Sequence, residues 1–247
     1  MNQKTIMIVG LGDLGGYVLE FLARIPNIPK MMTVDINEDW GVRKTNSAIA
    51  GASQFGLYPD ISFTQLDALD VEKTAGLLRE IQPTIIYNSM TLQSWWVITQ
   101  LPPELYKQID EARYAPWYPM HFFPMYKLMQ AVKKSGIKTH VVNAAFPDLV
   151  NPALAKIGLA PTVGIGNIDN LLARFRMVAA RMYRVPLRSV TIYLVAPHFF
   201  SYFVTRYGHD GGAPYYIKVM IDDRDVTAQM NRTEFLANVV PMAKGPG

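Results

Sequence analysis

The stretch VGLGDLGG, residues 9–16, decides the fold of this chain. It spaces Gly10, Gly12 and Gly15 as Gly-x-Gly-x-x-Gly, directly after the apolar run KTIMIV. The sequence that follows, LGGYVLEFLARI, repeats apolar residues at helical spacing. A strand, a glycine turn and a helix in this order predict the first unit of a parallel sheet with helices on both faces.

Each glycine of this turn has its own task in binding a ligand. The first permits a tight turn, the second lets the backbone approach a pyrophosphate, and the third lets the helix pack against the strand. The first turn of the helix contains Asp13 and Leu14 and offers free N–H groups to the phosphates. The next predicted strand, KMMTVD, ends on Asp35, whose carboxylate can accept both ribose hydroxyls of NAD. We therefore predict an NAD site, although Arg43 and Lys44 follow and NADP is not excluded.

Polar residues also close the next two predicted strands. Asp67 ends ISFTQLD, and Asn88 ends the strand in PTIIYNS. In parallel α/β sheets, ligands lie outside the carboxyl ends of the strands. We expect Asp67 on the adenine side of the cofactor and Asn88 on its ribose or nicotinamide side. Each residue could instead serve only to form a turn.

Strands and helices alternate through the first half of the chain. Further helices are predicted over VEKTAGLLREI and PMYKLMQAVKKSG, and further strands over IKTHVVNA and APTVGIG. The pattern then changes to a long helix, NIDNLLARFRMVAARMY, and to the antiparallel strands RSVTIYLVAP, FSYFVTRYG, PYYIKVMID and RDVTAQM. We predict an α/β fold, in which a doubly wound parallel Rossmann sheet in residues 1–150 precedes a small α+β region with antiparallel strands in residues 151–247. This second domain, for substrate or subunit contacts, ends in LANVVPMAKGPG without a predicted closing helix, so we expect a naturally short or truncated chain.

Residues 91–123 are predicted to be neither helix nor strand over most of their length. This segment contains Trp95, Trp96 and Trp117 and four prolines. It is too aromatic for a disordered linker, and long ordered loops are often functional. It is either a lid or a partner surface, or a flap packed by its own aromatic residues.

Composition limits the classes of function. The chain has 247 residues, 50% of them hydrophobic and 18% charged, which is typical of a globular protein. It has no cysteine, and its histidines lack metal-ligand spacing, so we expect no disulfide and no metal site. We expect a cytoplasmic homo-oligomer that contacts neither membrane nor nucleic acid. The net charge is +4, and its basic residues concentrate in a predicted helix and the residues after it: Arg174, Arg176, Arg181, Arg184 and Arg188.

The first half of the chain resembles the dinucleotide-binding domains of extended short-chain epimerases and of saccharopine dehydrogenase-like proteins. The matching stretches are GLGDLGG, VDIN, LDALD and PTIIYNS, within residues 1–145. The resemblance implies a Rossmann fold and a nicotinamide cofactor. The Tyr-x-x-x-Lys pair that catalyses reduction in short-chain enzymes is missing, because no tyrosine has a lysine four residues later.

Three residues of the second half resemble the active site of lactate and malate dehydrogenases. Asn143 ends THVVN, Arg174 lies in LLARFR and His198 lies in APHFF, at separations of 31 and 24 residues. The resemblance covers about residues 138–200 and includes VVNAAFPDLVNPAL. It implies that Arg174 binds a substrate carboxylate, that His198 exchanges a proton with the substrate oxygen, and that Asn143 positions substrate and nicotinamide.

The chain departs from that family at several positions. The aspartate that orients the histidine would stand one helical turn before Arg174, where this chain has Leu171. Asp169 is near in sequence but falls on another helix face. The alternative interpretation makes His198 a packed strand-end residue, Arg174 a surface residue and Asn143 a turn former.

Together these patterns predict an NAD(P)-dependent dehydrogenase or reductase. It would transfer a hydride between nicotinamide and a small anionic carbonyl or alcohol compound that resembles a 2-hydroxy acid. One alternative is a saccharopine dehydrogenase-like or epimerase-like enzyme that acts on an amino acid or a sugar. Another is an NAD(P)-binding sensor or interaction protein without catalysis.

Overall fold

A computed structural model of the chain describes residues 4–112, 115–166 and 168–239. The chain divides into two compact units, which meet in sequence between Ile165 and Gly166. Among the described residues, every helix is too short or too polar to cross a bilayer.

The first unit is built on a six-stranded parallel sheet with the order β3-β2-β1-β4-β5-β6. This order confirms the predicted doubly wound sheet, since the chain moves outward from β1 in one direction and then in the other. Its strands are β1 (Thr5–Val9), β2 (Lys30–Asp35), β3 (Ile61–Gln65), β4 (Ile85–Asn88), β5 (His140–Asn143) and β6 (Val163–Gly164).

Helices cover both faces of this sheet. They are α1 (Asp13–Ala23), α2 (Glu38–Ser53), α3 (Val71–Ile81), α4 (Trp95–Thr99), α5 (Pro103–Glu111), α6 (Tyr118–Ser135) and α7 (Pro147–Ala155). Successive residues of a strand point to opposite faces, so β1 supplies two cores. Met7 and Val9 pack on the side of α3, α6 and α7, and Ile8 packs on the side of α1 and α2. All three are almost completely buried, as expected for a central parallel strand.

The described part of the second unit combines three α-helices with a three-stranded antiparallel sheet of order β7-β8-β9. Its elements are α8 (Ile168–Tyr183), β7 (Val190–Val195), α9 (His198–Tyr207), β8 (Tyr216–Ile221), β9 (Arg224–Asp225) and α10 (Arg232–Ala237). Its core lies around Phe175, Phe200 and Phe235, and the Phe175 ring contacts the rings of the other two.

Three details of the second unit differ from the sequence prediction. FSYFVTRYG is a helix, α9, because Phe200, Ser201 and Val204 are buried at helical spacing. RDVTAQM contains only a two-residue strand and then a 3₁₀ turn at Thr227–Gln229. A short closing helix, α10, buries Phe235 and Leu236. Asn167, one expected start of the long helix, lies outside the described residues.

Two differences concern the first unit. It extends to Ile165 rather than to residue 150, because α7 and β6 belong to it and Leu154 and Leu159 lie in its core. Residues 91–123 contain two short helices, α4 and α5, and the first turns of α6, so that most of the segment described is helical and not irregular.

Candidate functional site

The glycine turn between β1 and α1 is shaped by close contacts. Gly10 has a φ of +88°, a left-handed conformation that a side chain disfavours. A Cβ atom on Gly15 would lie 1.9 Å from the carbonyl oxygen of Gly10. The Ser89 hydroxyl, which follows β4, donates to that same oxygen at 2.8 Å. The first glycine thus makes the turn and the third permits the close packing, as the spacing predicts.

Gly12 differs from the other two glycines of the motif, Gly10 and Gly15, because it faces open space. It is the N-cap of α1, and a Cβ atom placed on it would meet no heavy atom within 4 Å. Gly12 has no side chain and so makes no capping hydrogen bond at this helix end. The N–H groups of Asp13 and Leu14, in the first turn, therefore have no partner within the helix, and the helix dipole favours an anion there. The arrangement leaves room for a phosphate group against the backbone.

Asp35 lies beside this turn, at the carboxyl end of β2. One carboxylate oxygen accepts from the Leu11 backbone N–H at 2.7 Å, and the other accepts from the Asn37 backbone N–H at 2.9 Å. A carboxylate has about four lone-pair sites, so both oxygens can still accept a further hydrogen bond each. The side chain is held in place and keeps the capacity to bind hydroxyl groups.

A cavity of about 340 Å³ opens along the carboxyl ends of β1, β2 and β4. Gly10, Gly12, Asp35 and Asp67 line it, and residues 89–94 with Pro124 form the opposite part of its wall. Asp67 lies two residues beyond β3, where its carboxylate accepts from the Leu69 N–H at 2.9 Å. The open space at Gly12, the fixed carboxylate and the cavity fit the phosphates and a ribose of a dinucleotide.

Asn88 and Asn143 end neighbouring strands and bond to each other. Their side chains are completely buried, and the Asn88 amide donates to the Asn143 oxygen at 2.9 Å. That oxygen also accepts from the Ala145 N–H, while the Asn143 amide donates to the Ala145 carbonyl and to Asn151. The four hydrogen-bonding positions of the Asn143 side chain are therefore used inside the protein.

In this geometry the side-chain amides of the two asparagines bond to protein groups. Asn88 does not line the cavity; its oxygen accepts from the Met90 N–H at 3.3 Å and so fixes the wall beyond β4. Ser89 and Met90 line the cavity in its place. The two asparagines bond to each other at the carboxyl edge of the sheet, and the ligand roles expected of them stay a prediction.

His198 and Arg174 both lie in the second unit. His198 is the first residue of α9, not the end of a strand, because β7 already stops at Val195. Arg174, on α8, donates to the Thr205 hydroxyl of α9 at 3.3 Å. Leu171 packs in the core and is 1% exposed, whereas Asp169 is exposed in the first turn of α8. Asn143, the third predicted member, lies in the first unit, and the joint role of these residues stays a prediction.

The structure draws attention to two residues that the sequence analysis did not select. The Nδ1 atom of His121 is shielded from solvent and has no hydrogen-bond partner in the described part of the chain. Its ring centre lies 5.6 Å from that of Phe146, and burial lowers the pKa of this imidazole. Trp40 lines the cavity from α2 and bonds to the glycine turn. A histidine inside an aromatic run and a single tryptophan carry no motif, so only the fold could identify them.

Metal chemistry has no candidate site among residues 4–112, 115–166 and 168–239, where no group of three or more carboxylates or histidines could hold an ion.

Comparison with known proteins gives a match in structure alone. No protein-family model matches the chain, and no curated protein matches it. A lactate dehydrogenase from Cryptosporidium parvum, complexed with lactic acid and nicotinamide adenine dinucleotide, matches 97% of this chain with a TM-score of 0.62 and 16% identity. The apo malate dehydrogenase from Picrophilus torridus matches 96% with a TM-score of 0.63 and 17% identity. Malate dehydrogenase from Plasmodium falciparum matches 95% with a TM-score of 0.63 and 14% identity.

The match covers 68%, 65% and 66% of these three proteins, so this chain spans about two thirds of their length. At identities this low, the structural match establishes a common fold only, and the activity has to be argued from the site. The chain has the fold of the lactate and malate dehydrogenases, which confirms the resemblance that its sequence predicts.

Proposed function

We propose that this chain is an NAD-dependent oxidoreductase that acts on a small anionic carbonyl or alcohol compound resembling a 2-hydroxy acid. The observation that carries the proposal is the open space over Gly12 beside the fixed carboxylate of Asp35. A helix N-terminus with free N–H groups binds phosphate, and a neighbouring carboxylate binds ribose hydroxyls. The known structures with this fold include one complexed with lactic acid and nicotinamide adenine dinucleotide, which supports the same class of ligand.

The charges around Asp35 favour NAD over NADP. A 2′-phosphate at the ribose would be repelled by the carboxylate. Of the two basic residues that could compensate, Arg43 is bonded to Asp39 at 2.8 and 2.9 Å. Lys44 lies over the Trp40 ring, with its nitrogen 4.8 Å from the ring centre. Neither cation is directed to Asp35 by a hydrogen bond in the described residues.

Each residue has a defined part in the proposed reaction. NAD, when bound, supplies the hydride chemistry. The backbone at Gly12 holds the pyrophosphate, and Asp35 holds the adenosine ribose. Arg174 binds the anionic group of the substrate through its guanidinium, and His198 exchanges the proton with the substrate oxygen. Asn88 and Asn143 keep the edge of the sheet in shape.

The cofactor assignment is tested by titration calorimetry with NADH and NADPH. We expect NADH to bind about tenfold more tightly or better, the factor that about 1.4 kcal/mol of charge repulsion produces. Asp35→Asn should reduce the preference, because it removes the charge and keeps an acceptor. Asp60→Asn, at the amino end of β3, is the control and should change neither affinity. Equal or tighter NADPH binding by the parent protein would contradict the role of Asp35.

The catalytic assignment is tested with lactate, malate and the corresponding 2-oxo acids, by following NADH absorbance. His198→Gln should lower kcat by about 10² or more, the usual contribution of a general acid–base group, with NADH affinity unchanged. Arg174→Gln should chiefly raise KM. Thr205→Val is the control for the lost hydrogen bond between Arg174 and α9, since it removes the acceptor and keeps the shape of the side chain. Unchanged turnover in His198→Gln, with a lower melting temperature, would make this histidine structural.

The second candidate is an NAD-binding protein without catalysis. The observation that favours it is Leu171, an apolar core residue at the position where the dehydrogenases orient their histidine with an aspartate. Calorimetric binding of NADH by the parent protein, with no turnover of any substrate of the panel, would support this alternative. An epimerase-like or saccharopine dehydrogenase-like activity would instead appear with sugar or amino-acid substrates.

A further inference from the structure

Both backbone groups of Leu11, the residue between Gly10 and Gly12, are bonded by side chains from outside the turn. Its N–H donates to the Asp35 carboxylate at 2.7 Å. Its carbonyl oxygen accepts from the indole N–H of Trp40, also at 2.7 Å. The two bonds approach the same peptide segment from β2 and α2, and they fix the orientation of its peptide planes.

Trp40 is itself held by a closed chain of hydrogen bonds. Asn37 is the N-cap of α2, and its side-chain oxygen accepts from the Trp40 backbone N–H at 3.0 Å. The backbone N–H of Asn37 donates to Asp35, which completes the circuit through Leu11. Lys44, one turn further along α2, covers the indole ring. The first turn of α2 and the glycine turn therefore form one bonded unit.

Trp40 is too exposed for its role to be packing alone. Its residue surface is 43% exposed, and it lines the cavity beside Asp35. It is absent from the buried clusters on either side of the sheet. This large aromatic residue contributes little to the core but bonds to the turn at the phosphate position. It is therefore placed where it can favour ligand binding.

The physical benefit is preorganisation. The sequence Gly-Leu-Gly has high backbone freedom, and ordering a residue costs about 1–2 kcal/mol of conformational entropy. When the turn is already fixed, binding does not bear that cost. The indole N–H thus stabilises the conformation in which the backbone faces the pyrophosphate.

We propose that Trp40 is a positioning residue for the dinucleotide, which holds the glycine turn in its binding conformation through the Leu11 carbonyl. The proposal rests on the proposed function, because it concerns the same cofactor site. It predicts that Trp40 influences ligands that carry phosphate groups at the turn and has little influence on the free nucleoside.

Two substitutions separate the hydrogen bond from the ring. Trp40→Phe keeps an aromatic ring and removes the donor. Trp40→Gln removes the ring but places an amide N–H the same number of bonds from the backbone, so that it can reach the Leu11 carbonyl. Val42→Ala, an exposed position of α2 outside the cavity, is the control.

The experiment measures Kd for NADH and ADP-ribose by calorimetry, adenosine affinity by competition against NADH fluorescence, and urea unfolding of each protein without ligand. Trp40→Phe should weaken NADH and ADP-ribose about fivefold, as expected for one hydrogen bond, and leave adenosine unchanged. Trp40→Gln should recover most of this loss. Val42→Ala should match the parent.

The outcomes separate this proposal from the proposed function. A parent protein that binds no NADH overturns both. A parent that binds NADH, with Trp40→Phe binding equally well, overturns the positioning role alone. An equal loss for adenosine, or a loss of binding that follows the loss of unfolding stability and is not recovered by Trp40→Gln, also overturns it.

Discussion

Gly12 and Gly15 lie in the same turn but are under opposite constraints. A Cβ atom on Gly12 would enter open space at a φ of −61°, which any residue can adopt. A Cβ atom on Gly15 would lie 1.9 Å from the Gly10 carbonyl oxygen and 2.5 Å from the Ser89 hydroxyl. Packing within the protein therefore does not require glycine at position 12, where the absence of a side chain matters to the ligand. At position 15, packing within the protein does require glycine.

We predict that Gly12→Ala and Gly15→Ala separate binding from folding. Gly12→Ala should unfold in urea like the parent, yet bind NADH about tenfold more weakly or worse, because its methyl group occupies phosphate space. Gly15→Ala should lose about 1–3 kcal/mol of stability or more through overpacking. Urea unfolding and calorimetry check both. If Gly12→Ala binds NADH normally, the phosphates do not lie at this glycine.

His121 gives a pH dependence of stability. Burial disfavours the imidazolium and lowers its pKa in the folded state below the ordinary value of 6.5. As the pH falls below that value, the unfolded chain takes up a proton that the folded protein does not, so the free energy of unfolding decreases. Stability from this residue is thus complete above about pH 6.5 and declines on acidification towards the folded-state pKa.

We predict that His121→Gln reduces this decline. Urea unfolding midpoints between pH 8 and pH 5 should fall less steeply for His121→Gln than for the parent. His140→Gln removes an exposed histidine and is the matched control, which should retain the parent slope. Identical slopes in all three proteins would show that the His121 imidazole is not the group responsible.

At the scale of elements, two helices show why periodicity can be missed. The buried positions of α2 are Gly41, Thr45, Ala48 and Ala52, which follow helical spacing but are small. Gly41 is required because the Phe63 ring occupies the space of its side chain. In α9, aromatic and β-branched residues favour a strand by propensity, yet the fold places them in a helix. Propensity is a weak preference that tertiary packing overrides.

The segment of α4, α5 and the first turns of α6 is the element whose role remains a prediction. Residues 91–94, just before α4, line the cavity, and the Leu92 N–H donates to the Met120 carbonyl at 3.0 Å. Helix α5 buries none of its residues. This difference predicts low local stability for α5 and a direct ligand contact for residues 91–94.

We predict that hydrogen exchange slows in residues 91–94 when NADH is added. If the segment closes as a lid, protection should extend into α5. Protection of α5 that changes instead on dilution of the protein would indicate contact with a second subunit. Backbone amides of α3, on the same unit but away from the cavity, serve as the internal control. Equal protection of the segment in every state would make it part of the core.

At the scale of the whole molecule, the two units have separate cores. The buried clusters of the first unit contain only residues up to Leu159, and the cluster of the second contains only residues from Leu171 onward. The residues that line the cavity lie between Val9 and Pro124. The first unit thus carries its own core and the whole candidate cofactor cavity.

We predict that a fragment of residues 1–165 folds and binds NADH within about threefold of the parent affinity, a difference of under 1 kcal/mol. A fragment of residues 1–150 should be much less stable. It lacks Leu154 and Leu159, and loss of a buried leucine side chain costs about 2–5 kcal/mol. Circular dichroism in urea and calorimetry check both fragments. Equal stability of the two would place the domain boundary at residue 150.

The sequence by itself determined the parallel sheet, the glycine turn and Asp35. These features depend on local order along the chain, where strand, turn and helix follow one another and each glycine has a fixed task. The same local order located the C-terminal end of α6, because Gly136 follows the helix in a left-handed conformation that glycine adopts readily.

Only the tertiary structure decided which polar side chains face the cavity. Asn88 and Asn143 end their strands as predicted, but their amides bond to each other because the strands lie side by side. Trp40 and His121 gained their surroundings from residues distant in sequence, Leu11 and Phe146. Hydrogen bonding and burial depend on such distant neighbours, so spacing along one chain could indicate the site's location but not the partners of its side chains.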